Sequence, residues 1–211
     1  MIITYHGLEQ FKVQFGDVTL GFNPVSKESK VKSNKFGADV GLLTINHPDM
    51  NGGELLAYGE RKPFLITGPG EYEVKDVFIK GFPATSSYGG TESINTIYRV
   101  TLEGMNLTFL GALSSPDVSG ETREAIQDTN ILFVPIGGGE VLDPENAYKL
   151  AVKFQPNIII PMHFSDTKSP ELKAFLKEGG SEDAEMVDKY TVKKKDLDLS
   201  EGKIVVITPS L

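Results

Sequence analysis

The chain has 211 residues, no cysteine, three histidines and a formal charge of −8 from 29 acidic and 21 basic side chains. That length buries a core without disulfides or structural metal, and the missing cysteines remove disulfides, thiolate nucleophiles and cysteine-ligated metal centres. The acidic balance argues against a nucleic-acid footprint built on Lys and Arg, no apolar run approaches the ~20 residues of a membrane span, and Met1–His6 shows no basic region leading into an apolar one.

These features predict one domain over residues 1–211, in the reducing cytoplasm, binding neither nucleic acid nor membrane. Its first half reads as strand and turn. Ile2–Tyr5, Phe11–Phe15 and Val18–Phe22 are short β-prone segments separated by Gly7 and Gly16-Asp17, which predicts an antiparallel meander. Asn23-Pro24 stops the third strand, and the polar stretch Ser26–Phe36 reads as a loop carrying lysines. Val40–Thr44 is a buried strand, Gly53–Tyr58 a short helix and Phe64–Thr67 a strand that ends in the turn Gly68-Pro69-Gly70. Glu71–Val74 and Val77–Lys80 form a hairpin with Lys75-Asp76 at its tip, and Asn95–Leu102 with Leu107–Leu110 form another.

Beyond Gly111 strand and helix alternate. Glu121–Asp128 reads as a helix and Ile131–Pro135 as a strand. Asp143-Pro144 opens a helix that turns Ala147, Leu150, Ala151 and Phe154 inward and stops at Pro156. Asn157–Pro161 is a buried strand, and Ser169-Pro170 opens a helix that buries Leu172, Phe175 and Leu176 and closes at Gly179-Gly180. Strands over Val187–Lys193 and Lys203–Thr208 finish the chain, while Lys27–Lys35 and Lys193–Lys195 read as solvated faces. The pattern predicts an α+β sandwich with helices outside two packed sheets.

Ligands in such folds gather at the carboxyl ends of strands. Three loops qualify: Leu42 to Gly53 with His47 and Asp49, Pro161-Met162-His163, and Gly111–Ser115. Two histidines and a carboxylate suffice for an open zinc or iron site, yet His47 and His163 read equally well as histidines bonded to backbone, and Asp49 as a cap for the following helix. His6 reads as a turn residue, and Gly137-Gly138-Gly139 as a turn, since no Lys-Ser/Thr follows it as in a phosphate-binding loop.

Gly21-Phe22-Asn23-Pro24, Thr44 through Asp49, Gly68–Val74, Asn95–Tyr98, Phe109-Leu110-Gly111, Val134–Gly138 and Ile160–His163 together resemble the metallo-β-lactamase superfamily, in its short branch of stand-alone hydrolases similar to ascorbate-phosphate lactonase. The resemblance implies a four-layer αββα sandwich with two metal ions, usually zinc, at one edge. It also implies an H-x-H-x-D-H motif where this chain has Ile45, His47, Asp49 and Met50, and a bridging aspartate where it has Ala112. A histidine implied shortly after Gly81-Phe82-Pro83 is missing from Ala84–Tyr88, and an aspartate before Pro24 is replaced by Asn23. Two expectations follow. One is a hydrolase-like relative whose dinuclear site is reduced or lost and which binds a small molecule or a protein partner, with a homo-oligomer left open. The other is a mononuclear hydrolase of a small ester, lactone or phosphate-bearing substrate, with His47, Asp49 and His163 as metal ligands, zinc as the metal and Asp49 as the catalytic carboxylate.

Overall fold

The computed structural model describes residues 1–32 and 34–210; Ser33, inside the predicted 26–36 loop, and Leu211 lie outside the described residues. The opening meander is β1 (Ile2–Tyr5), β2 (Phe11–Phe15) and β3 (Val18–Phe22), antiparallel with Ile3 opposite Val13 and Phe11 opposite Phe22. Strict alternation explains it: Ile3, Tyr5, Phe11, Val13, Leu20 and Phe22 are all fully buried on one face. β4 (Val40–Leu42) and β5 (Phe64–Ile66) extend the sheet in parallel, and between them the expected helix is one short turn over Gly53–Leu56.

From Gly70 onward the chain builds a larger sheet. Its antiparallel wing is β6 (Gly70–Val74), β7 (Val77–Ser86), β8 (Ser93–Leu102) and β9 (Met105–Phe109), followed by α1 (Gly120–Ala125). Parallel strands β10 (Ile131–Pro135) and β11 (Ile158–Met162) are buried along their whole length, as strands covered on both faces must be. Between them runs α2 (Pro144–Phe154), and after them α3 (Pro170–Glu178); Asp143 and Ser169 cap these helices, and α2 buries Ala147, Leu150, Ala151 and Phe154. The two helices meet through Tyr148 and Phe175, with ring centroids 5.9 Å apart.

The chain ends in β12 (Glu185–Val187), β13 (Tyr190–Thr191), α4 (Lys194–Leu197) and β14 (Lys203–Ile207). The strand expected over Val187–Lys193 is in fact two. β12 lies parallel to β14 in the larger sheet, whereas β13 crosses to pair with β1 in the smaller one, because the Val192 N–H donates to the Met1 carbonyl and Tyr190 turns inward. The Lys193–Lys195 side chains are exposed, as expected, at the start of the short helix α4, which buries Leu197.

The sheet orders are β13-β1-β2-β3-β4-β5 and β12-β14-β11-β10-β9-β8-β7-β6. They pack face to face through aromatic rings, Phe22 lying 4.8 Å from Phe109 and Phe11 5.0 Å from Phe133. This is the α+β sandwich expected. Among the described residues no helix is long and apolar enough to cross a membrane. The loops that follow β4, β9, β10 and β11 come together at one edge of the sandwich: Thr96 N–H donates to Thr44 O, Leu142 N–H to Leu113 O and Ile136 N–H to Met162 O.

Candidate functional site

At that edge the turn from His47 to Met50 is closed by the Met50 N–H on the His47 carbonyl. The Asp49 N–H donates to His47 Nδ1 at 3.2 Å, so the neutral ring carries its proton on Nε2. Asp49 Oδ2 lies 3.6 Å from His47 Nδ1 and accepts from the Tyr88 hydroxyl at 2.8 Å, while Oδ1 accepts from Ser29. Asp49 therefore does not cap the following helical turn, whose N-cap Gly52 makes no side-chain bond. Burial, then the bond to Asp49, pushes the Tyr88 phenol above its usual range, so it stays a neutral donor.

His163 follows β11 with φ 64°, and its N–H donates to the Leu8 carbonyl at 2.6 Å. Its Nδ1–H donates to Glu9 Oε1 at 2.8 Å. Glu9 is fully buried, and its other oxygen accepts from Asn23 Nδ2 at 2.8 Å; Asn23 in turn bonds both Thr44 Oγ1 and the Thr44 N–H. Leu8 and Asn23 also have positive φ, so three non-glycine residues hold a sparsely populated backbone conformation around this one carboxylate.

The ring of Tyr88 stands between the two imidazoles. Its edge-to-face contacts are 4.9 Å to His47 and 5.4 Å to His163. Gly89 seats it there, donating its N–H to Glu140 and passing so close to His47 that a Cβ would meet the ring at 3.0 Å. Ile45, Met50 and Ala112 are buried and join Val141 in a small apolar cluster, separate from the main core, over which Leu8 and Tyr88 pack. Gly137-Gly138-Gly139 forms a turn, as expected.

Of the three expected site residues, the fold brings His47 and Asp49 into contact and sets His163 across the Tyr88 ring. Among the described residues no three His, Cys, Asp or Glu side chains stand together as a metal-binding group. Sequence reasoning missed two participants. Glu9 sits in a polar turn after Gly7 that reads as solvated, and its partner is 154 positions away. Tyr88 closes the Ala84–Tyr88 segment, where the resemblance implies a histidine, and its visible signal is an aromatic with a hydroxyl beside two glycines.

Residues 2–163 match the sequence profile of the Beta-lactamase superfamily domain. A metal-dependent hydrolase from Listeria innocua is 22% identical over 199 residues, covering 78% of this chain and 86% of that protein. Another from Lysinibacillus sphaericus is 25% identical over 201 residues, with the same 78% and 86% covered. Among solved structures, a metallo-β-lactamase superfamily protein from Thermotoga maritima superposes with a TM-score of 0.78 at 25% identity, covering 98% and 97% of the two chains. The metallo hydrolase Igni18 from Ignicoccus hospitalis gives 0.65 at 20% identity over 100% and 96%, a likeness of fold. With its two-sheet sandwich and a profile match over most of its length, the chain belongs to the beta-lactamase superfamily domain family and has the metallo-β-lactamase fold.

Proposed function

We propose that this chain uses the fold of the metal-dependent hydrolases as a binding scaffold for a small molecule, its metal pair replaced by an apolar cluster closed by Tyr88. One observation carries the reading: three positions at which the resemblance implies metal ligands, Ile45, Met50 and Ala112, are buried against one another and against Tyr88. Alkyl side chains hold no metal, and a thioether suits Cu(I) rather than zinc beside a carboxylate. Of the donors that remain, Asp49 is engaged by Tyr88 and Ser29, and the Tyr88 ring stands between the two imidazoles. This donor set does not fit the metal pair, and no hydrolytic step is drawn through a metal.

The 3.6 Å approach of His47 to Asp49 favours the second reading, a mononuclear hydrolase with His163 as third ligand. It requires Tyr88 to leave the space between the imidazoles. Zinc titration by calorimetry separates the two when the parent chain is compared with Ile45→His/Met50→His/Ala112→Asp. The binding-scaffold reading expects no stoichiometric zinc in the parent and zinc uptake in the variant. Zinc bound one-to-one by the parent at micromolar affinity or better would establish the hydrolase reading instead.

A further inference from the structure

In the tip between β7 and β8, Ser87 and Gly89 to Glu92 are exposed, and Tyr88 alone turns inward. A turn closed by the Gly90 N–H on the Ser87 carbonyl carries it. The tip is tied to the rest of the fold through side chains, the Ser87 N–H donating to Ser114 Oγ and the Gly89 N–H to Glu140 Oε2, each at 3.1 Å. Gly89 and Gly90 both have positive φ, 83° and 77°, and nothing lies within 4 Å of where a Cβ on Gly90 would stand. The tyrosines of the core are placed differently. Tyr5 and Tyr98 are fully buried and donate to backbone carbonyls, Tyr5 to Leu8 and Tyr98 to Leu43 and Ile66. Tyr88 is half-buried and donates to a carboxylate, that of Asp49.

The seat that Tyr88 fills has an apolar floor and a polar rim. Ile45, Met50, Ala112 and Val141 form the floor, on which the ring packs. The rim is His47, Asp49 and His163, whose side chains keep 30%, 17% and 15% of their surface exposed even with Tyr88 in place, so a molecule in solvent can reach them. An apolar surface with a few converging polar groups is what small-molecule sites present. Its present occupant shows what fits: a flat ring nearly perpendicular to both imidazoles, at 4.9 Å and 5.4 Å, with a hydroxyl that donates to Asp49 at 2.8 Å. Asp49, Glu9 and Glu140 all place negative charge on this hydroxyl, which favours a neutral donor over an anion.

We infer that this seat binds a small phenol and that Tyr88 is its built-in occupant: the ligand's ring takes the place between the imidazoles, its hydroxyl donates to Asp49, and the tip swings Tyr88 out into solvent. The inference rests on the reading of the chain as a binding protein and names the class of its ligand. Binding exchanges one phenolic bond to Asp49 for another, so the affinity is set by how firmly Tyr88 holds the seat.

Titration of the whole chain with phenol, benzene and cyclohexanol, followed by NMR of ring-labelled tyrosine, tests it. Phenol is expected to bind the parent one-to-one and to shift the Tyr88 ring signals. Benzene lacks the hydroxyl and cyclohexanol the flat ring, and each should bind about tenfold or more weakly. Tyr88→Phe keeps the ring in the seat and deletes its bond to Asp49, so phenol should bind this variant about tenfold more tightly than the parent. Tyr88→Ala empties the seat and should bind phenol more tightly still. A tyrosine that only holds the fold together gives neither binding by the parent nor a gain in Tyr88→Phe. No phenol binding by the parent, equal affinity for benzene and phenol, or a Tyr88→Phe affinity no greater than the parent's would each overturn the inference, and none of these depends on Tyr88→Ala folding. Zinc bound one-to-one by the parent would sink the binding-protein reading, whereas a parent that takes neither zinc nor phenol would sink this inference alone, so the two failures are distinct.

Discussion

The phenol of Tyr88 holds together groups from two separate segments: it donates to Asp49 and faces His47 in one turn, and faces His163 after β11. Replacing it by Phe keeps the ring between the imidazoles and deletes the hydroxyl, so Asp49 retains only Ser29 and the turn behind it. At this half-buried position Tyr88→Phe should lower unfolding stability by about 1 kcal/mol in a denaturant titration. The pH dependence has a definite sign. Folding raises the Tyr88 pKa above the value near 10 of an unfolded tyrosine, so the native state holds the proton more tightly. That contribution is whole below about pH 10 and is lost as the pH rises through the folded value. Tyr5 and Tyr98, both raised by burial, act in the same direction. Stability should therefore be insensitive to these groups at neutral pH and fall in alkali, and Tyr88→Phe should make the alkaline fall shallower; an unchanged fall would show that Tyr88 is no more protected folded than unfolded.

Among elements, those with a one-sided pattern were legible from the sequence. β1, β2 and β3 have the bounds expected from alternation, and α2 turns inward the four apolar residues that helical spacing selected. The final strand was legible, its expected span Lys203–Thr208 matching β14, but the stretch between α3 and β14 was not, because Glu185 to Leu197 contains no periodic run long enough to show that it leaves one sheet and joins the other. Loops at the site edge depend on backbone shape more than on pattern. Gly111 has φ 61°, and a Cβ there would lie 2.5 Å from Asn95 Oδ1 and 2.6 Å from Thr44, side chains held in place by bonds to the Leu110 carbonyl and to Asn23. Gly139 has φ 64° with open space around it. Gly139→Ala should thus cost about 1 kcal/mol, the left-handed strain alone, and Gly111→Ala about 2 kcal/mol more from the overlap. Thermal unfolding of the two variants side by side measures the difference; equal losses would mean that the Asn95 and Thr44 side chains give way to the new Cβ without strain.

For the whole molecule, the family was readable because fold-defining segments are spread from Gly21 to His163, within the residues 2–163 that match the profile. The positions at which the resemblance implies further ligands were readable one by one, as Ile45, Met50 and Ala112. What they do together was not, since their packing with Val141, Leu8 and Tyr88 joins residues from five stretches of chain. The Glu9–His163 pair shows the same difficulty: each residue has an ordinary local reading, and only the closure of β1 against β11's end gives the buried carboxylate a partner. The central claim is that this edge holds a side-chain cluster where the family resemblance implies metal. It is tested most directly by the metal content of the protein purified without chelator, measured by inductively coupled plasma mass spectrometry alongside His47→Ala and His163→Ala. The account predicts substoichiometric zinc, iron and manganese in all three proteins, with no difference between them. One metal ion per parent chain, lost in both variants, would contradict it.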